Sequence, residues 1–230
     1  MERNFAALEQ QLGVTFKDRG LLTLALTHRS YLNEHPEARP GHNERLEFLG
    51  DAVIELVVTE YLYAHYPNPE GELTNWRAAL VNAIMLSEVC RELGVDPFLL
   101  LSRGESKETG KARQYILANA FEAIVGAIYL DRGMRTTRAF LNRVLLLRLP
   151  YILEHRLYVD AKSRFQEIAQ DRLGITPRYE VLGESGPDHA KRFRVGIYLK
   201  GEFVAEGAGS SKQEAQMAAA EAALTAKGWT

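Results

Sequence analysis

Cysteine is almost missing from this chain. Cys90 is the only one in 230 residues, which excludes an intrachain disulfide and fits a reducing compartment. Its setting among Met85, Leu86, Val89 and Leu93 reads as that of a core thiol. Long apolar runs are missing too, since no stretch reaches the ~18 residues a membrane-spanning helix needs. The opening MERNFAALEQQLG has no basic segment followed by an apolar one, so no secretory leader and a cytoplasmic location are expected. Net charge is nearly absent: 28 Lys and Arg against 30 Asp and Glu leave −2, with a pI near 6.3. A polyanionic partner would have to be met by a local patch rather than by bulk charge. With 46% hydrophobic and 25% charged residues, the remainder is ordinary globular material, enough for one large domain or two small ones.

What is present is organised around Asn43 to Tyr63, NERLEFLGDAVIELVVTEYLY. Leu46, Phe48, Leu49, Ala52, Val53, Ile54, Leu56, Val57 and Val58 spread nearly all round a helical wheel, the pattern of a buried helix. Glu44, Glu47 and Asp51 nevertheless project from one face, with Glu55 beside them. Like charges at that spacing repel, and an apolar setting raises the cost of each. Two readings compete: an acidic but solvated helix face, or a site whose charges a divalent cation neutralises. A second stretch, Tyr115 to Leu130, is apolar on every face except at Asn119 and Glu122, which again share a side. Packed together, the two helices would gather Glu47, Asp51, Asn119 and Glu122, with Glu44 nearby. Ligands that are all oxygen suit Mg2+, with Mn2+ as a substitute, and point to phosphate esters.

The pattern up to about Leu149 is helical almost throughout. Short helices are expected around Phe5–Leu12, closed by Gly13, and around Leu21–Leu26, with a loop over Asn33–His42. Asn43 is the expected cap of the acidic helix, which ends at Pro67–Gly71. One helix is expected from Asn75 to Leu93, capped by Thr74. A loop over Leu101–Arg113 carries Arg103, Lys107, Lys111 and Arg113; Gly133 ends the second polar-in-apolar helix, and a last helix from Thr136 meets Pro150. Beyond Pro150 a short amphipathic helix, Ser163–Leu173, precedes β-like runs at Arg178–Leu182, Phe193–Leu199 and Glu202–Ala208. Lys200-Gly201 fits a hairpin turn, and Ser211 to Glu214 is a capping box that opens an alanine-rich helix running to Lys227. The expectation is two domains. An all-α domain spans residues 1–150, a linker spans 151–160, and a small α+β module of order α-β-β-β-α spans 161–230.

NERLEFLGDAVIE, YILANAFEAIVGAIYLDRG and the upstream LTHRSY closely resemble ribonuclease III, and the C-terminal segment resembles that family's double-stranded-RNA-binding domain. The resemblance covers nearly the whole chain. It implies a homodimeric, Mg2+-dependent endonuclease that cuts double-stranded RNA to 5′-phosphate and 3′-hydroxyl ends, in processing of ribosomal and messenger RNA precursors. It implies metal ligands at Glu47, Asp51, Asn119 and Glu122, with Asp51, Glu122 and Glu44 as catalytic positions. Glu70, expected in the loop after the acidic helix, matches a further acidic position and reads equally as a plain loop carboxylate. Asn119 departs from the family, which has an aspartate there: its amide oxygen can ligate an ion but brings no charge. The alternative that follows is a duplex-RNA-binding protein whose cleavage is weakened or lost.

No nucleophilic side chain with a His base is apparent, so hydrolysis by an ion-activated water is the expected chemistry, without an organic cofactor. In the C-terminal module the resemblance places Gln166 and Glu167 against minor-groove 2′-hydroxyls, His189 in the minor groove and Lys212 on phosphates. Lys107, Lys111 and Arg113, together with Arg103, are further candidates for duplex contact, or else plain solvated charges. Thr27-His28-Arg29-Ser30 reads as structural, with contact to the RNA backbone as the alternative.

Overall fold

The computed structural model describes residues 5–38, 41–187 and 191–229. These form two compact units, divided between Tyr158 and Val159. Among the described residues no helix is long and apolar enough to cross a membrane.

The first unit is helical. Helices α1 (Phe5–Leu12) and α2 (Arg19–Leu26) bury Leu8, Leu12, Leu22 and Leu26 completely. A short α3 (Tyr31–Glu34) takes up the start of the expected loop. Then come α4 (Glu44–His65), α5 (Glu70–Val81), α6 (Ala83–Glu92), α7 (Gly110–Val144) and α8 (Leu149–Glu154). The two long helices α4 and α7 form the centre. Gly50 and Gly126 make their crossing possible, because a Cβ on Gly50 would stand 1.8 Å from the Glu122 carbonyl oxygen. A Cβ on Gly126 would stand 2.3 Å from that of Leu46, so the helices touch backbone to backbone. Ile54, Val58, Leu117, Phe121 and Ile124 close the surrounding core. At Gly133 the backbone turns to φ 74° and ψ 172°, breaking α7 where the sequence expects a helix end.

Several expectations are corrected. Asn43 does not cap α4 through its side chain; it is buried and donates Nδ2–H to the Ala25 carbonyl at 3.2 Å, while its backbone N–H reaches Thr27. The helix expected from Asn75 to Leu93 is two helices. Asn82 ends α5 and caps α6 by accepting from the Met85 N–H at 2.9 Å, and α5 begins at Glu70 rather than after Thr74. Pro150 does not stop the helical unit. It sits in the first turn of α8, where its missing N–H costs nothing, and Ile152, inside what the sequence suggested was linker, joins Leu149 in the first unit's core. Nor is α4 buried all round: Phe48 is 82% exposed, Tyr63 83% and Leu56 48%, leaving one apolar side bare.

The second unit packs α9 (Ala161–Leu173) and α10 (Lys212–Lys227) on an antiparallel sheet of order β1-β2-β3, with strands Arg178–Ser185, Arg192–Leu199 and Glu202–Gly209. The β2–β3 turn uses Lys200 and Gly201, both at positive φ (50° and 85°), which matches the twist of the paired strands. Val195, Ile197 and Leu199 alternate inward and are buried, Ile197 and Leu199 in one core with Phe165, Ala169, Ala219 and Ala223. Ser211 caps α10 by accepting from the Glu214 N–H at 3.1 Å.

Candidate active site and nucleic-acid interface

The glycine crossing determines where the acidic residues meet. Glu47 and Asp51 flank Gly50 on α4; Asn119 and Glu122 lie on the two α7 turns before Gly126. Asn119 donates a hydrogen bond to the Glu47 carboxylate, across the two helices. Burial, then repulsion from Asp51 and Glu47, pushes the Glu122 carboxyl up to about 7. Glu47 is raised as well, by burial first and then by Glu44 and Asp51, against which the Asn119 hydrogen bond works. Glu122 and Glu47 thus feel neighbouring carboxylates through a partly dry interface.

Glu44 sits at the edge of this group, with Arg29 and His42 beside it. Arg29 Nη1 stands 3.2 Å from Oε1, and His42 Nδ1 stands 3.8 Å from Oε2. Glu55 leaves the group altogether, paired with Arg77 Nε of α5 at 3.0 Å. Glu70 is the first residue of α5, not a loop residue, and lines a groove with Tyr63, Tyr66, Leu73 and Arg77.

Among the described residues, no three His, Cys, Asp or Glu side chains converge into a ready-made ion cage. Repulsion among Glu47, Asp51 and Glu122 opposes such convergence, and the fourth partner is an amide. The donor set still fits a hard cation: three carboxylates and the Asn119 amide oxygen, whose nitrogen is turned to Glu47. A divalent charge would offset the repulsion that, after burial, raises Glu47 and Glu122.

The segment Thr27–Ser30, legible in the sequence chiefly as structural, ties the site together. Thr27 forms a parallel bridge with Leu100, and its carbonyl accepts from the Asn43 N–H that opens α4. His28, its basicity lowered chiefly by burial, shares a 2.8 Å hydrogen bond with the Ser30 hydroxyl; Ser30 Oγ accepts in turn from the Ser102 N–H. The loop bearing Arg103 and Lys107 is thereby fastened beside α4.

Of the candidate duplex contacts in this unit, Arg103, Lys107 and Lys111 are exposed, Lys107 in a 3-10 turn and Lys111 already within α7. Arg113 differs. It is largely buried and ion-paired with Asp96, which withdraws it from the surface. In the second unit Gln166 and Glu167 are exposed on the side of α9 opposite Phe165 and Ala169. Lys212 opens α10 and is paired with Glu184 at 3.7 Å. His189 lies outside the described residues.

The comparisons with known proteins agree with one another. The sequence matches the Ribonuclease-III-like family over residues 18–149 and the double-stranded RNA binding motif over residues 161–226. Ribonuclease 3 of Pelotomaculum thermopropionicum is 44% identical over 218 residues, 94% of this chain and 90% of that protein. Ribonuclease 3 of Protochlamydia amoebophila is 43% identical over 224 residues, covering 97% and 92% of the two chains. The nuclease domain of ribonuclease III from Campylobacter jejuni superposes with a TM-score of 0.58 at 41% identity, over 64% of this chain and 99% of that one. The chain belongs to the ribonuclease III family, an endoribonuclease whose helical nuclease unit is followed by a double-stranded-RNA-binding motif.

Proposed function

We propose that the chain hydrolyses phosphodiesters of double-stranded RNA with the aid of Mg2+ or Mn2+, leaving 5′-phosphate and 3′-hydroxyl ends. The observation that carries this reading is the Glu47–Asp51–Glu122 group, where burial first and mutual repulsion second keep Glu122 protonated up to about pH 7 in the absence of a cation. Glu47, Asp51, Asn119 and Glu122 would hold the ion. When bound, it supplies a water of lowered pKa and charge stabilisation for the departing oxygen. Asp51, the exposed member, faces the solvent from which substrate arrives. Asn119 holds Glu47 in place through its donated hydrogen bond. Glu44 stands beside them with its charge balanced by Arg29. Gln166, Glu167, His189 and Lys212 would engage the duplex, joined by Arg103, Lys107 and Lys111.

The bare side of α4 supports a homodimer. Phe48, Leu56 and Tyr63 share it, next to a depression where Leu21, Leu24, Leu49 and Leu130 stand with His42, Glu44 and Arg45. An exposed apolar stripe of this kind calls for a partner. The Campylobacter nuclease domain has a region described as involved in dimer formation. By analogy the substrates are ribosomal and messenger RNA precursors in the cytoplasm.

A second reading rests on Asn119: an amide in place of a carboxylate weakens ion capture, leaving an RNA-holding protein that cuts poorly. Incubating the chain with a long RNA duplex and Mg2+ separates the two. Cleavage by the wild type, accelerated in Asn119→Asp, supports the enzyme. If neither form cuts in Mg2+ or Mn2+, the hydrolytic reading is wrong.

A further inference from the structure

On the second unit, two ammonium groups meet one carboxylate above a phenyl ring. Lys191, at the entry to β2, places Nζ 2.9 Å from Oε2 of Glu184 near the end of β1. Lys212 places Nζ 3.7 Å from Oε1 of the same carboxylate. Both nitrogens stand 5.7 Å from the centroid of the Phe193 ring. Two lysines separated in sequence therefore aim at one anion, and the first turn of α10 adds its partial positive charge. The hydrogen bond from Lys191, with the two positive charges, holds the Glu184 carboxyl below its ordinary range.

We propose that Lys191 and Lys212 form a two-lysine clamp for an RNA backbone phosphate, and that Glu184 is an intramolecular stand-in which the phosphate displaces. The proposal rests on the duplex-RNA reading of this unit and adds to it a competitor and a second cation. Exposed ion pairs contribute little to stability, so the fold does not depend on Glu184 staying between the lysines. The carboxylate lowers the cluster's net charge from +2 to +1. Its effect is to weaken phosphate capture and make it less dependent on salt.

Binding of the full chain to a labelled RNA duplex of about 16 bp, measured by fluorescence anisotropy in EDTA to prevent cleavage, tests this. Glu184→Gln is expected to bind about threefold to tenfold tighter at low salt, with the log–log salt slope steeper by about one ion. Lys191→Gln is expected to bind several-fold more weakly, and the Glu184→Gln, Lys191→Gln pair to lose most of the gain. A gain in affinity is not a consequence that misfolding produces. Wild-type binding with Glu184→Gln no tighter, or with Lys191→Gln unchanged, overturns the clamp alone. A wild-type chain that binds no duplex overturns the duplex-RNA reading and the clamp with it.

Discussion

Glu122 shows what one half-buried carboxyl does to the whole protein. Its folded-state pKa of about 7 lies above the ordinary carboxylate value, so the folded chain binds the extra proton between the two. The stability this group contributes is full below the unfolded pKa and lost as pH rises through about 7. Removing the charge should therefore help the metal-free fold where it hurts function. Glu122→Gln is expected to be more stable than wild type by about 1–2 kcal/mol near pH 8 in EDTA, a figure discounted for partial exposure. The gap should close near pH 4.5, and urea melts at the two pH values check it. A variant less stable than wild type near pH 8 would mean the carboxylate is stabilised by a partner. The residues of this cluster were legible in the sequence because polar side chains in an apolar helix stand out. Their neighbours were not: Arg29 and His42, which reach Glu44 across a loop, and Arg77, which takes Glu55, are ordinary polar residues with no periodic signal.

Among the elements, the decisive contact has no side chain at all. Gly50 and Gly126 let α4 and α7 close until backbone meets backbone, and the carboxylates come together as a consequence. Gly50→Ala places a methyl group where the Glu122 carbonyl stands. It is expected to destabilise the nuclease unit by about 3 kcal/mol and to weaken ion binding. Chemical denaturation and a Mn2+ titration on the same sample read both, and a stable Gly50→Ala chain with normal ion affinity would contradict the crossing. A glycine inside a hydrophobic helix gives only a faint signal in a sequence, and its meaning depends on a partner some seventy residues away. Helix ends set by local chemistry were legible, as with Gly13, Gly133 and Ser211. Ends set by a tertiary role were not: Asn43 looks like a cap but is spent on Ala25, and Asn82 splits a helix whose apolar periodicity runs straight through.

For the whole molecule, the change from helical to alternating periodicity made two units readable, whereas the place where one gives way to the other was hidden by Pro150, which starts a helix as readily as it ends one. The helical wheel of α4 also misled: apolar residues on every face suggested complete burial, but Phe48, Leu56 and Tyr63 face outward. A chain that pairs through this side should be a dimer at micromolar concentration, and Phe48→Glu should sediment as a monomer. A monomeric wild type would remove the homodimer from the account.

The central claim is that carboxylates from α4 and α7 hold a hard ion between them. Calorimetric titration of the protein with Mn2+ near neutral pH measures it directly. The wild type should saturate, Asn119→Asp should bind about tenfold tighter through its added charge, and Asp51→Asn combined with Glu122→Gln should show no binding. If that double variant takes up Mn2+ as tightly as the wild type, the ion is held elsewhere and the site described here is not the catalytic one.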